Sequence, residues 1–239
     1  MINNNNFNLQ PISIAEVFDS IQGEGKYVGV KQIFVRVAGC PLECDYCDTD
    51  YTVKDSFNVN GMAFYKNPAN AGHIFDILSA HFFFAEYHSI SITGGEPLLY
   101  PVFLREFSEI SPAKLFLETS GYDPAGILDI APYFDFLSID LKTDIEPFGR
   151  HADELLAAAA LLPPEKMYLK MALRPDTKAD ESVKTAAGLF EKHNIKEVWL
   201  QPVDNIFNPE KTAGWQSIFR QYGVDARFVP QIHKFLKIR

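Results

Sequence analysis

The chain has 239 residues, more than the commonest domain size, yet α/β barrels of this length fold as one domain, and residues 1–239 are read as one. Apolar residues make up 47% and phenylalanine alone contributes 20, so a large core forms without disulfide support and stability does not account for the cysteines. A net charge of −9 gives no attraction to nucleic acid or an anionic membrane; with no signal or transit pattern and no membrane-long apolar run, the expectation is a cytoplasmic protein acting on a small molecule or a protein partner.

The asparagine run at 3–6 lies in a start, 1–10, that reads as a frayed end. Beyond it, β-rich runs fall at 32–37, 89–93, 114–118, 134–140, 167–172, 197–201 and 226–229. Helix-like stretches at 71–87, 101–110, 123–131, 152–161, 178–193 and 209–222 separate them. Such alternation implies a parallel sheet with right-handed helical crossovers, curled into a barrel or doubly wound. Six or seven units predict an α/β fold of the incomplete (β/α)6-type TIM barrel kind. Polar or Gly-rich segments at 38–50, 94–97, 119–121, 141–143 and 201–204 each follow a strand. Ligands in parallel α/β folds sit at the C-terminal strand ends, so these segments should converge on one site.

All three cysteines lie within eight residues, Cys40-Pro-Leu-Glu-Cys44-Asp-Tyr-Cys47, directly after the first barrel strand. The odd count and the expected cytoplasmic setting argue against a disulfide. Structural zinc takes four protein ligands, and no histidine precedes His73, so that reading needs a distant ligand to fold in. An iron–sulfur cubane is usually held by thiolates. With only three, one iron stays open, as suits a cluster that binds a reactant.

The spacing Cys-x3-Cys-x2-Cys with Tyr46 before the last cysteine resembles the signature of the radical S-adenosylmethionine superfamily. The resemblance implies a 4Fe–4S cluster on Cys40, Cys44 and Cys47 whose open iron chelates S-adenosylmethionine, cleaved at C5′–S to the 5′-deoxyadenosyl radical. Gly94-Gly95-Glu96-Pro97 is similar to the segment that holds the methionine amino group. Ser138 and the run Gln201-Pro202-Val203-Asp204 sit where the superfamily contacts ribose and adenine. Tyr46, Cys47, Asp48 and Asp140 complete the implied cofactor contacts.

Flanking segments narrow the resemblance. The stretches Glu16 to Gly25 and Phe34 to Cys40, the run Cys47-Asp48-Thr49, and Pro230-Gln231-Ile232-His233-Lys234 resemble the 7-carboxy-7-deazaguanine synthase family over nearly the whole chain. That family turns 6-carboxy-5,6,7,8-tetrahydropterin into 7-carboxy-7-deazaguanine with loss of ammonia and needs magnesium. The resemblance implies that Ile21, Gln22 and Gly23 meet the pterin edge, Glu24 adds a carboxylate, Arg36 pairs with the substrate carboxylate, Thr49 binds magnesium and Thr93 contacts substrate. His233, in an apolar strand-like context, and the α-carboxylate of Arg239 would fold over the substrate. It further implies hydrogen abstraction at C6, ring contraction, S-adenosylmethionine regenerated each cycle, a flavodoxin or ferredoxin as electron donor, and a homodimer.

Two alternatives stay open. Asp140-Leu141-Lys142 after the fourth strand departs from the family and resembles glycyl-radical activating enzymes, which act on a partner protein. A non-enzymatic zinc or iron–sulfur module is the reading of another class. Glu24 and Arg36 could also form a surface ion pair. His73, His81, His88, His151 and His193 show no partner pattern and carry no assigned function.

Overall fold

The computed structural model describes residues 11–238 apart from Asp48 and Asp144; the asparagine run, Asp48 and Arg239 thus lie outside the described residues. Ten strands are formed: β1 (Ile14–Ile21), β2 (Lys31–Val37), β3 (Ser56–Val59), β4 (Ala63–Lys66), β5 (Ser89–Gly94), β6 (Leu115–Thr119), β7 (Phe136–Asp140), β8 (Met167–Leu173), β9 (Glu197–Pro202) and β10 (Asp225–Phe228). They build one sheet in the order β10-β9-β8-β7-β6-β5-β2-β1-β3-β4. From β2 through β5 to β10 every neighbouring pair is parallel, while β1 runs antiparallel to β2. Helices α1 (Ala71–His81), α2 (Pro101–Ile110), α3 (Pro124–Ile130), α4 (Phe148–Ala159), α5 (Thr177–Lys192) and α6 (Pro209–Gln221) make the six crossovers, and α7 (Ile232–Leu236) ends the described chain. This is the incomplete barrel the alternation predicts, with the cysteine loop leaving its first parallel strand. None of these helices is long and apolar enough to cross a membrane.

The strands carry two opposite faces at a stride of two. Ile90 and Ile92 on β5, Leu115 and Leu117 on β6, Leu137 and Ile139 on β7, Leu169 and Met171 on β8 and Val198 and Leu200 on β9 join the core that includes helix residues such as Phe103, Phe107, Leu155 and Phe190. The alternate positions face inward. Near the strand starts Phe116, Tyr168 and Trp199 form a separate aromatic cluster with Phe136 and Tyr27. The Tyr27 ring, on a 3-10 turn over Gly25–Tyr27, lies 5.5 Å from Phe116, 5.0 Å from Phe136 and 5.9 Å from Tyr168. The Phe116 contact is edge-to-face and the other two are tilted, and together these rings fill the barrel floor. Toward the strand ends the inward positions turn polar, which is where a site can form.

Local chemistry sets the helix starts. Asn70, Asp123, Asp176 and Asn208 each accept a backbone N–H from the first turn of α1, α3, α5 and α6, and Pro124 and Pro209 stand just inside two of them.

Three differences from the sequence reading have physical causes. The helix expected over 71–87 stops at His81, because Phe82 turns extended and the Tyr87 hydroxyl donates to Asp19 at 3.1 Å, pulling the following segment onto β1. The helix expected over 152–161 starts earlier, at Phe148, which buries its ring in the core. The β3–β4 hairpin was not expected at all. Its turn carries Asn60 and Gly61, both at positive φ, the pairing that a type I′ turn demands.

Candidate active site

A cavity of about 530 Å³ is lined by the C-terminal ends of the barrel strands, the cysteine loop, the 21–24 segment and α7. Cys40, Cys44 and Cys47 form no disulfide, and all three border it together with Tyr46. Burial pushes the Cys40 thiol up, with Glu96 and Cys47 adding to the effect. Among the described residues no three His, Cys, Asp or Glu side chains converge as around a single ion. Three thiols on one loop bordering one cavity fit a cluster with an open corner.

The Gly-Gly-Glu-Pro segment lies directly on the start of that loop. Gly95 N donates to Val37 O at 2.9 Å and Glu96 N to Gly39 O at 2.8 Å. Thr93, Gly94 and Gly95 border the cavity, whereas Glu96 does not and is wholly buried. Its Oε1 accepts from Leu98 N (2.9 Å) and Thr119 Oγ1 (2.7 Å), and its Oε2 from Ser120 N (2.8 Å) and Ser120 Oγ (2.5 Å). Burial raises the Glu96 pKa against those four bonds. Glu96 therefore fastens the loop after β5 to the loop after β6 and brings Ser120 to the cavity wall.

Ser138, Asp140, Gln201 and Val203 border the cavity; Pro202 and Asp204 do not, and Asp204 is instead paired with Lys234 at 2.6 Å. Two buried polar atoms on this side have no protein partner, the donor Gln201 Nε2 and the acceptor Asp140 Oδ1. Orphaned buried groups call for a ligand, and an unpaired donor and acceptor suit a nucleoside. Lys142 is paired with Asp140 Oδ2 at 2.7 Å and lies 5.3 Å from the Tyr46 ring centre, with Arg174 at 5.5 Å from that ring. Asp140-Leu141-Lys142, the departure from the family pattern, thus belongs to the cavity wall.

Across the cavity stand Ile21, Gln22, Gly23, Glu24, Arg36, Thr49 and His233. Arg36 Nη1 donates to Thr49 Oγ1 at 2.5 Å, its Nε lies 3.4 Å from Glu16 Oε1, and its guanidinium covers the Phe18 ring at 5.2 Å. Gln22 is spent inside the protein. Its Nε2 donates to Gln32 Oε1 and Glu118 Oε1, both at 3.0 Å, and its Oε1 accepts from Glu24 N at 3.1 Å. Glu24 makes no pair with Arg36: Lys170 Nζ donates to its Oε2 and Gln231 Nε2 to its Oε1 at 2.7 Å. Burial works to raise the Glu24 pKa, but Lys170 and Gln231 outweigh it and hold the carboxyl at about 2.

His233 sits in α7 rather than a strand. The Asn205 side chain accepts from Gln231 N at 2.7 Å and donates to Gln231 O at 3.0 Å, which turns the chain out of the sheet after β10. Ile232 N then donates to Gly23 O at 2.9 Å, and a Cβ on Gly23 would lie 2.2 Å from His233 Nδ1, so glycine lets α7 close onto the 21–24 segment.

Sequence reasoning gave no individual role to Glu118, Ser120, Lys170, Gln231 or Lys142, although all five border the cavity. The first and third left a signal: a charged residue at an inward position of an otherwise apolar strand, as in Leu115-Phe116-Leu117-Glu118 and Tyr168-Leu169-Lys170-Met171.

An incomplete α/β barrel with three thiols and a nucleoside-sized polar wall at one mouth defines a radical S-adenosylmethionine enzyme, and residues 34–150 match the Radical SAM superfamily model. The chain is 34% identical to 7-carboxy-7-deazaguanine synthase of Methanothermobacter thermautotrophicus over 95% of its own length and 97% of that protein's. It is 31% identical to the synthase of Archaeoglobus fulgidus, over 95% and 99%. The crystal structure of QueE from Escherichia coli has the same fold, with TM-score 0.62, 19% identity and coverage of 92% and 94%. The chain belongs to the 7-carboxy-7-deazaguanine synthase family. That membership favours the synthase over the activating-enzyme and zinc-module alternatives.

Proposed function

We propose that this chain converts 6-carboxy-5,6,7,8-tetrahydropterin to 7-carboxy-7-deazaguanine with release of ammonia, within 7-deazapurine biosynthesis. The observation that carries the reading is that one cavity joins the three-thiol loop to the Arg36–Thr49 wall and to α7. When bound, the cluster and S-adenosylmethionine supply the one-electron chemistry that starts the reaction. The residues of this chain do the rest by position. Cys40, Cys44 and Cys47 hold the cluster; Gly94, Gly95, Ser138, Asp140, Gln201 and Val203 hold the S-adenosylmethionine. Arg36 presents a planar fork to the substrate carboxylate, and Thr93 and the 21–24 segment line the pterin. The Thr49 hydroxyl gives magnesium one hard oxygen, and such an ion takes its other ligands from substrate and water. Its part is to neutralise and orient the carboxylate. His233 lines the cavity against the 21–24 segment, where it would limit water entry. The reading also includes a cytoplasmic homodimer reduced by a flavodoxin or ferredoxin, which family resemblance alone supports.

The test is anaerobic: reconstituted protein with dithionite, S-adenosylmethionine, magnesium and the carboxypterin should yield 7-carboxy-7-deazaguanine by mass spectrometry, with the yield collapsing without magnesium. Formation of 5′-deoxyadenosine with no such product would overturn the substrate assignment. Replacing Arg36 with methionine should raise KM for the pterin by about 10- to 100-fold, the worth of a hydrogen bond to a charged group. An unchanged KM would remove Arg36 from the substrate site.

A further inference from the structure

Lys170 is a charged residue near the C-terminal end of an apolar barrel strand, and only 7% of it is exposed. Burying an ammonium is costly unless it is paired on several sides. Lys170 meets that condition from two directions: its Nζ donates to Glu24 Oε2 and lies 3.7 Å from Asp140 Oδ2. Glu118 adds a further favourable charge. Glu24 belongs to the substrate-side segment and Asp140 to the cofactor-side wall, so this one ammonium stands between the two halves of the cavity.

We infer that Lys170 is a positioning residue for the pterin: it fixes the Glu24 carboxylate in place, and so aligns the 21–24 segment that lines the substrate. The inference rests on the substrate reading given above. Removing the ammonium leaves Glu24 facing Gln231 just before α7, His233 on α7 and Tyr168 from β8, with Asp140 on β7, its partner Lys142 and Glu118 on β6 as the remaining charges around the gap. Of the three partners that draw the Glu24 pKa down, Lys170 acts both by charge and by hydrogen bond, Gln231 is neutral, and His233 contributes least, so removing Lys170 takes away most of what offsets burial. The sign follows. In the wild-type protein the Glu24 pKa is held down at about 2, so the carboxyl does not titrate in the working range. Without Lys170 burial prevails, the pKa rises, and the carboxylate is lost as pH falls through the new value.

The test uses the reconstituted full-length enzyme, unreduced, titrated calorimetrically with 6-carboxy-5,6,7,8-tetrahydropterin between pH 5.5 and 8.5 (about the span in which the protein can be handled). Wild type should bind with no acid limb. Lys170→Met should bind at least about tenfold more weakly at the low end than at the high end, while Lys170→Arg, which keeps the charge, restores a flat profile. A merely structural lysine would lower thermal stability or kcat without creating an acid limb. Because Lys170→Met leaves Glu24 without its ammonium partner and can fail to fold, Glu24→Gln serves as the second variant. It removes the titrating group, so it should bind weakly and evenly at all pH values. Wild-type affinity with a flat profile in Lys170→Met overturns the inference. If the wild-type enzyme itself neither binds nor converts the pterin, it is the substrate reading that fails.

Discussion

Replacing Cys44 with alanine is expected to abolish S-adenosylmethionine cleavage, with iron content falling well below that of wild type and the cluster's visible absorption lost. The argument rests on count and placement. The chain has three cysteines and no spare thiol, and all three border the same cavity. Cys44 lies in a turn-rich loop, half-buried and outside the hydrophobic core, so its loss should leave far-ultraviolet circular dichroism unchanged. Cys44 O accepts from Cys47 N at 3.1 Å, a backbone bond that alanine retains, so the loop keeps its turn while losing one corner ligand. A variant that reconstitutes to the wild-type iron content and turns over normally would sink the cluster assignment. Zinc as the only metal, with no sulfide, in the wild-type protein would support the module alternative.

What the sequence made legible follows from how local each feature is. Barrel strands announce themselves by alternation, and Ser89-Ile90-Ser91-Ile92-Thr93 does more: it shows an apolar face for the helices and a polar face for the interior. The Asn60-Gly61 turn is equally local and was readable, yet the short strands around it lacked the length that draws attention. The site residues with motif neighbours, from Ile21 to Glu24, Arg36, the cysteines and Thr49, do line the cavity. Their partners were not legible, because partner choice is long-range. Lys170 meets Glu24 across 146 positions and Gln231 reaches it across 207, separations over which no periodicity speaks. For the same reason Glu96 reads from the sequence as a cofactor contact within its motif, while the structure commits all its oxygens to Leu98, Thr119 and Ser120.

Gly95→Ala should be the most damaging substitution outside the cysteines, and its mechanism is steric. A Cβ at Gly95 would lie 1.8 Å from the Gly39 carbonyl oxygen and 2.6 Å from its carbon. Both are backbone atoms, so no side chain can swing aside to make room. The two segments must part, breaking the bonds from Gly95 N to Val37 O and from Glu96 N to Gly39 O. Gly39 immediately precedes Cys40, so the separation carries Cys40, the first of the three proposed cluster ligands, away from the other barrel strand ends. Overpacking costs about 1–3 kcal/mol where a core can relax, and two opposed backbones relax less than a core does. The expected result is at least a 100-fold loss of product formation (about 2.7 kcal/mol) with lowered iron retention and a lowered unfolding temperature. Gly214→Ala supplies the contrast. That position lies inside α6 with nothing within 4 Å of a new Cβ, so alanine should stabilise the protein by about 0.5–1 kcal/mol and leave activity unchanged. If Gly95→Ala matched Gly214→Ala in iron content and rate, the contact between the double-glycine turn and the cysteine loop would not be what holds the cluster end of the cavity together.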